Sequence, residues 1–133
     1  MRLPHLRTGP SICVAAVVVA MTATLLPIAV ADAATTSRCK SADLRYAFRP
    51  GGAKTFGVFK LRITSGSCRI ARHVAKDWMT KFEARIRAGN AKPPRFVDGY
   101  TFKTLPATAA QTFNERGIRT ATIIRFDYRV PNG

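Results

Sequence analysis

Histidine, cysteine and the carboxylates do most of a protein's proton, nucleophile and metal chemistry, and this chain holds few of them: two histidines, three cysteines and seven Asp plus Glu. Nucleophilic catalysis needs Ser, Cys or Thr beside a base and an orienting group. Beyond residue 31 the only base of that kind is His73. It falls at the edge of a helix's polar face, where a solvated or capping role accounts for it. Asp77 and Glu83 are six residues apart on the same helix and diverge by about 120°, and Asp98 and Asp127 fall on separate strands. Lys81 and Arg87 follow them at i+4, so Asp77 and Glu83 read as surface ion pairs worth ~0.3 to 0.5 kcal/mol each. A zinc site takes about four ligands, and only Cys39, Cys68 and His73 are on offer. There is no Gly-rich phosphate loop and no nucleophile elbow. The expectation is a protein that is not an enzyme, with no catalytic residues, no metal and no cofactor.

The abundant chemistry is cationic. The chain carries 22 Lys plus Arg and a formal charge of +15. Arg69, Arg72, Lys76 and Arg87 lie within about 60° of one another on a helix wheel, and strands add Lys60, Arg62, Arg125 and Arg129 at outward positions. If those faces adjoin, they form one basic surface. Arg69 and Arg72 sit in the first helical turns, where the helix dipole disfavours cations by ~0.3 to 1 kcal/mol each. Arg69, Arg72 and Lys76 are therefore a candidate anion site, since a bound anion would relieve that cost. The competing reading has Arg72 donating to a carbonyl or to an acid such as Asp43, with the remaining charges solvated.

The first residues are a routing segment. Arg2, His5 and Arg7 precede an uncharged run from Ile12 to Val30, and Ala29-Val30-Ala31 supplies the small residues of a cleavage site. Residues 1–31 are expected to be a signal peptide, cut after Ala31 or after Ala33; the alternative is an uncleaved N-terminal helix that anchors the protein. Cys13 lies at the start of the apolar run and leaves with it. Cleavage removes Arg2 and Arg7 and no acid, so the mature chain holds 20 basic against 7 acidic side chains, a net +13. The destination is extracellular or envelope-associated. In that oxidising compartment the two remaining cysteines, Cys39 and Cys68, are expected to pair. A loop of about thirty residues closed in this way stabilises a fold by ~3 to 4 kcal/mol on the chain-entropy account.

What remains, about a hundred residues, makes one domain. Asp32 to Ser37 reads as a mobile tail within an N-terminal arm (residues 32–42), and residues 43–133 as a single domain. Leu44, Tyr46 and Phe48 alternate over Asp43–Arg49. Gly57–Thr64 alternates more clearly, with Phe59, Leu61 and Ile63 on the apolar side. Ser65-Gly66-Ser67 offers an N-cap and Gly89-Asn90 a stop for a helix over Cys68–Ala88. Its core face is Ile70, Val74, Trp78, Phe82 and Ile86, flanked by Ala71, Ala75 and Met79. Trp78 and Met79 read as packing before they read as a ligand pocket. Val97–Leu105 is a strand with Tyr100 and Phe102 on one side, and Leu105–Gly117 is a short helix or a long loop. Arg119–Val130 closes the fold with Thr122, Ile124, Phe126, Tyr128 and Val130 inward. The expected class is α+β: a small antiparallel sheet of three to four strands, one long amphipathic helix across a face, in β-α-β-β order.

The stretch Ser67-Cys68-Arg69-Ile70-Ala71-Arg72-His73-Val74-Ala75, followed by Trp78, resembles the Ser-Cys-x-x-Ala-Arg-x-Val-Ala helix start of small secreted proteins of high-GC Gram-positive bacteria. The resemblance covers about ten residues and the signal-peptide layout. It implies export and a cysteine pair mapping onto Cys39 and Cys68. It also implies a Gly-aromatic-x-Cys strand; here that strand reads Gly99-Tyr100-Thr101-Phe102, so a second pair is missing. No activity follows from it.

The expected function is a secreted, strongly basic, non-enzymatic binding module for anionic envelope polymers, lipid headgroups or an acidic protein. The alternative is an inhibitor or effector presenting Ala91–Arg95 or Thr104–Asn114 to a protein target. Charge permits nucleic-acid binding, but export and the lack of RRM, OB or helix-turn-helix signatures argue against it.

Overall fold

The computed structural model describes residues 33–107 and 109–131, so the expected signal peptide up to Ala31, the cleavage point after it and the alternative anchor lie outside the described residues. These residues belong to the compact unit Asp32–Gly133. In chain order the elements are β1 (Thr36–Arg38), a 3₁₀ turn (Ala42–Leu44), β2 (Arg45–Tyr46), β3 (Phe56–Thr64), α1 (Cys68–Arg87), β4 (Phe96–Val97), β5 (Tyr100–Leu105), β6 (Thr112–Arg119) and β7 (Thr122–Arg129). The fold is α+β, one helix with one antiparallel sheet. The sheet is larger than expected: seven strands rather than three or four, in the order β1-β3-β7-β6-β5-β4, with β2 also paired to β3.

Each additional strand has a physical reason. Asp98 and Gly99 both take positive φ, 51° and 79°, in a two-residue turn that pairs Val97 with Tyr100. An Asp-Gly turn of this kind folds one expected strand into the β4–β5 hairpin. The segment expected as helix or loop supplies β6, whose partner β7 begins after a two-residue turn pairing Arg119 with Thr122. Of the alternating segment Asp43–Arg49 only β2 is strand, because the 3₁₀ turn occupies its start.

The sheet also begins inside the segment expected as an arm. Thr36, Ser37 and Arg38 pair with Thr64, Ile63 and Arg62. Between β1 and β2 the chain continues to serve β3: Cys39 N donates to Leu61 O (2.8 Å), and Ser41 Oγ donates to Val58 O (3.0 Å). These bonds satisfy β3 carbonyls that an unpaired edge would leave open.

The helix follows its sequence signals closely. Ser67 caps it, its side chain accepting from Ile70 N (3.4 Å). Gly89, at φ 78°, ends it while Gly89 N and Asn90 N close back on Ile86 O and Arg85 O. Ala71, Val74, Ala75, Trp78 and Phe82 are buried against the sheet. Ile70 and Ile86, expected on the core face, lie near the two ends of the helix and stay exposed. Trp78 is the hub: its ring lies 5.0 Å from Phe82, 5.2 Å from Phe126 and 5.4 Å from Tyr128, centroid to centroid. Gly117 leaves room for the Phe102 ring, which a Cβ there would meet at 2.5 Å.

A β-bulge in β3 overturns one expected face. Phe59 opposes Asp127 and Arg62 opposes Arg125, so two β3 residues face one on β7, and Lys60 takes φ 51°. The apolar side of β3 is therefore Val58, Leu61 and Ile63, all buried. Phe59 turns to the other face, between Arg45 and Arg129, whose guanidinium carbons each lie 4.3 Å from its ring centre.

Candidate functional site

Cys39 and Cys68 form a disulfide, with 5.3 Å between their Cα atoms and 29 residues between them in sequence. It ties the segment after β1 to the first residue of α1. Both thiols are consumed, so neither serves as nucleophile or metal ligand.

The structure divides the expected basic surface in two. Arg69, Arg72 and Lys76 project from the side of α1 that faces away from the sheet, and Lys60, Arg62, Arg125 and Arg129 belong to strands whose outward side faces away from the helix. A helix and a sheet that bury their apolar sides against each other must point their polar sides in opposite directions. At the helix start, Arg72 is engaged by Asp43 at 2.5 Å, the acid that the competing reading named. Desolvation opposes the shift, but the hydrogen bond from Arg72, a backbone hydrogen bond and the charges of Arg72 and Lys76 together outweigh it and hold Asp43 below its ordinary pKa. Arg69 borders a cleft of about 800 Å³ with Ser67, His73, Asp98 and Arg119. Lys76 is exposed.

On the outer face of the sheet the register assembles cations that are far apart in sequence. Arg38 opposes Arg62, Arg62 opposes Arg125, Arg125 opposes Arg116, and Arg116 opposes Lys103. They form one row across β1, β3, β7, β6 and β5. At about 4.8 Å per strand the row extends roughly 19 Å. Arg116, fourth in the row, is half-buried, and its Nε has no hydrogen-bond partner among the described residues. The six described carboxylates are engaged elsewhere: Asp43 with Arg72, Asp127 with Lys60 at 3.1 Å, Asp77 and Asp98 with His73, Glu83 with Tyr128, and Glu115 with Thr104. Like charges placed directly opposite one another weaken a sheet, so this row opposes folding. Arg38, Lys103 and Arg116 escaped the sequence reading because only strand pairing brings them beside Arg62 and Arg125.

Two carboxylates depart from their expected roles. Asp77 does not pair with Lys81: one donor atom from each of His73, Asp77 and Asp98 lies within 4.8 Å of the others. Partial burial and then the neighbouring Asp77 carboxylate raise the Asp98 pKa. The sequence reading offered only Cys39, Cys68 and His73 as metal-type donors; the β4–β5 turn carries Asp98 to the helix and groups it with His73 and Asp77. Glu83 likewise turns away from Arg87, accepting from Tyr128 Oη at 2.7 Å. Tyr128 Oη lies 3.1 Å from Tyr46 Oη. Burial, and then these two partners, push the Tyr128 phenol far up.

That chain of polar groups borders a cleft of about 670 Å³ whose other walls include Phe48, Met79, Phe82, Ile86 and Phe113. Trp78 is core, as expected, whereas Met79 reaches the cleft. A buried acid completes the inventory. Glu115 is fully buried on the inner face; Thr104 Oγ1 donates to its Oε1 at 2.7 Å, while Oε2 has no partner. Desolvation outweighs that hydrogen bond and lifts its pKa from 4.5 to about 7. No sequence spacing marks Glu115, because its burial depends on the register of β6.

The chain matches no protein-family model, no curated protein and no solved structure. Among the described residues no helix is long and apolar enough to cross a membrane.

Proposed function

We propose that this is a secreted, strongly basic, non-enzymatic binding module whose outer sheet face holds linear anionic polymers of the cell envelope. The observation that carries the reading is the row Arg38, Arg62, Arg125, Arg116 and Lys103, five cations in register with no carboxylate within 4 Å among the described residues. Repulsion within such a row is relieved by an anion that spans it, and a chain carrying one charge per repeat does so with little loss of its own solvation. The disulfide suits an oxidising compartment. The bulge in β3 serves the same face by turning Phe59 outward, where it braces Arg45 and Arg129.

The test measures binding of the oxidised protein to poly-glutamate and to polyphosphate between about 50 and 200 mM salt, where counterion release reads the number of contacts. Replacing Arg62, Arg116 and Arg125 with Ala is expected to weaken binding by tenfold or more and to lower the salt slope by about three. Replacing Arg69, Arg72 and Lys76 with Ala removes the same charge from the helix side and is expected to leave most of the binding intact. Equal losses in the two variants would reduce the row to bulk charge. Retention of a single protein at high salt would favour the inhibitor or effector reading.

A further inference from the structure

We infer that the cleft beside Tyr46, Glu83 and Tyr128 is a binding site for an apolar amine, a small molecule with one ammonium group on a hydrocarbon or aromatic body. The site is independent of the sheet face and takes a ligand of opposite charge. At about 670 Å³ the cleft falls within the range of small-molecule sites. Its walls are aromatic and aliphatic, and two of the four exposed large apolar side chains among the described residues, Phe48 at 65 % and Ile86 at 39 %, stand on it.

The polar groups of the cleft restrict the ligand further. Each tyrosine has one hydroxyl proton. Tyr128 gives its proton to Glu83 Oε1, so the bond between the two phenols uses the proton of Tyr46. Tyr128 is fully buried, so what remains open to the cleft is acceptor capacity on the other two side chains: the second Glu83 oxygen and the Tyr46 lone pairs. No Lys or Arg nitrogen lies within 4 Å of the Glu83 carboxylate among the described residues. Arg87 also borders the cleft without making that contact. A hydrocarbon would leave the acceptors unpaired, and a carboxylate would repel Glu83 and find its one cationic partner on the cleft in Arg87. An ammonium brings three donors and a charge that aromatic faces also attract. The protein's overall positive charge opposes such a ligand only at long range, because salt screens it beyond about 8 Å.

The experiment titrates the protein with n-octylammonium, 1-octanol and n-octanoate, followed by calorimetry and by fluorescence of Trp78, the only tryptophan, which packs on the cleft residues Phe82 and Tyr128. The expected result is one saturable site that binds octylammonium about tenfold tighter than octanol, with octanoate weakest. Glu83→Gln keeps an acceptor for Tyr128 and is expected to erase the preference of ammonium over alcohol. Phe48→Ala, at an exposed position outside the core cluster whose ring packs on Phe56, is expected to weaken all three probes by a similar factor. Absence of saturable binding, octanoate binding as tightly as octylammonium, or an ammonium preference that survives Glu83→Gln would each overturn the assignment.

Discussion

The inner and outer faces of the sheet are made from the same four strands, β3, β7, β6 and β5, and alternate residue by residue, yet opposite constraints shape them. On the inner side Val58, Leu61, Ile63, Phe102, Ile124, Phe126 and Tyr128 close around Trp78. Position and volume are tightly prescribed there, down to a glycine at 117 that admits the Phe102 ring. On the outer side the same strands align Arg62, Arg125, Arg116 and Lys103, an arrangement that opposes sheet stability. One face is arranged for folding. The other is tolerated by it, which leaves its composition open to other demands.

Breaking the inner face produces the largest effect. Trp78→Ala empties the hub of four aromatic neighbours and is expected to cost about 3 to 5 kcal/mol in urea unfolding; a cost below about 1 kcal/mol would mean that Trp78 is not central. Glu115 makes a finer test of the same face. Its folded-state pKa lies above that of the unfolded chain, so between pH 4.5 and about 7 the native protein keeps a proton that the unfolded chain has released. Stability therefore falls as pH rises through that window, by about 3 kcal/mol once both states are ionised. Glu115→Gln removes the titrating group, and unfolding midpoints followed against pH are expected to lose this decline, with the largest gain at pH 8 and little change at pH 4. A decline of unchanged size in the variant would place the proton elsewhere. The smallest stability change belongs to the outer face. Arg125→Glu sets an acid between Arg62 and Arg116, so thermal unfolding is expected to show a gain of ~0.2 to 1 kcal/mol while polyanion binding weakens. Loss of stability together with binding would remove the contrast between the faces.

Legibility in the sequence follows the range of the forces involved. The helix, its Ser67 cap and Gly89 stop, and the buried stripe from Ala71 to Phe82 follow from a 3.6-residue period and local hydrogen bonds. The Asp98-Gly99 turn was equally local, although its meaning as a hairpin was lost inside an apparent single strand. Strand β6 was obscured because a glycine and a buried acid, Gly117 and Glu115, occupy its inner face where apolar residues would have announced it. The anion site placed at Arg69, Arg72 and Lys76 could not be weighed without knowing that Asp43 reaches Arg72. The cationic row and the cleft were out of reach, since each draws residues from at least four elements.

From the sequence alone came the α+β class, the single long helix, the pairing of Cys39 with Cys68 and the excess of positive charge. Each rests on composition or on spacing within a few turns of chain. Tertiary structure decided the number of strands, the bulge that turns Phe59 outward, the separation of helix and sheet cations onto opposite sides, and the meeting of Tyr46, Glu83 and Tyr128. These depend on register, and register is an agreement between distant segments that is reached only when both bury their apolar faces together.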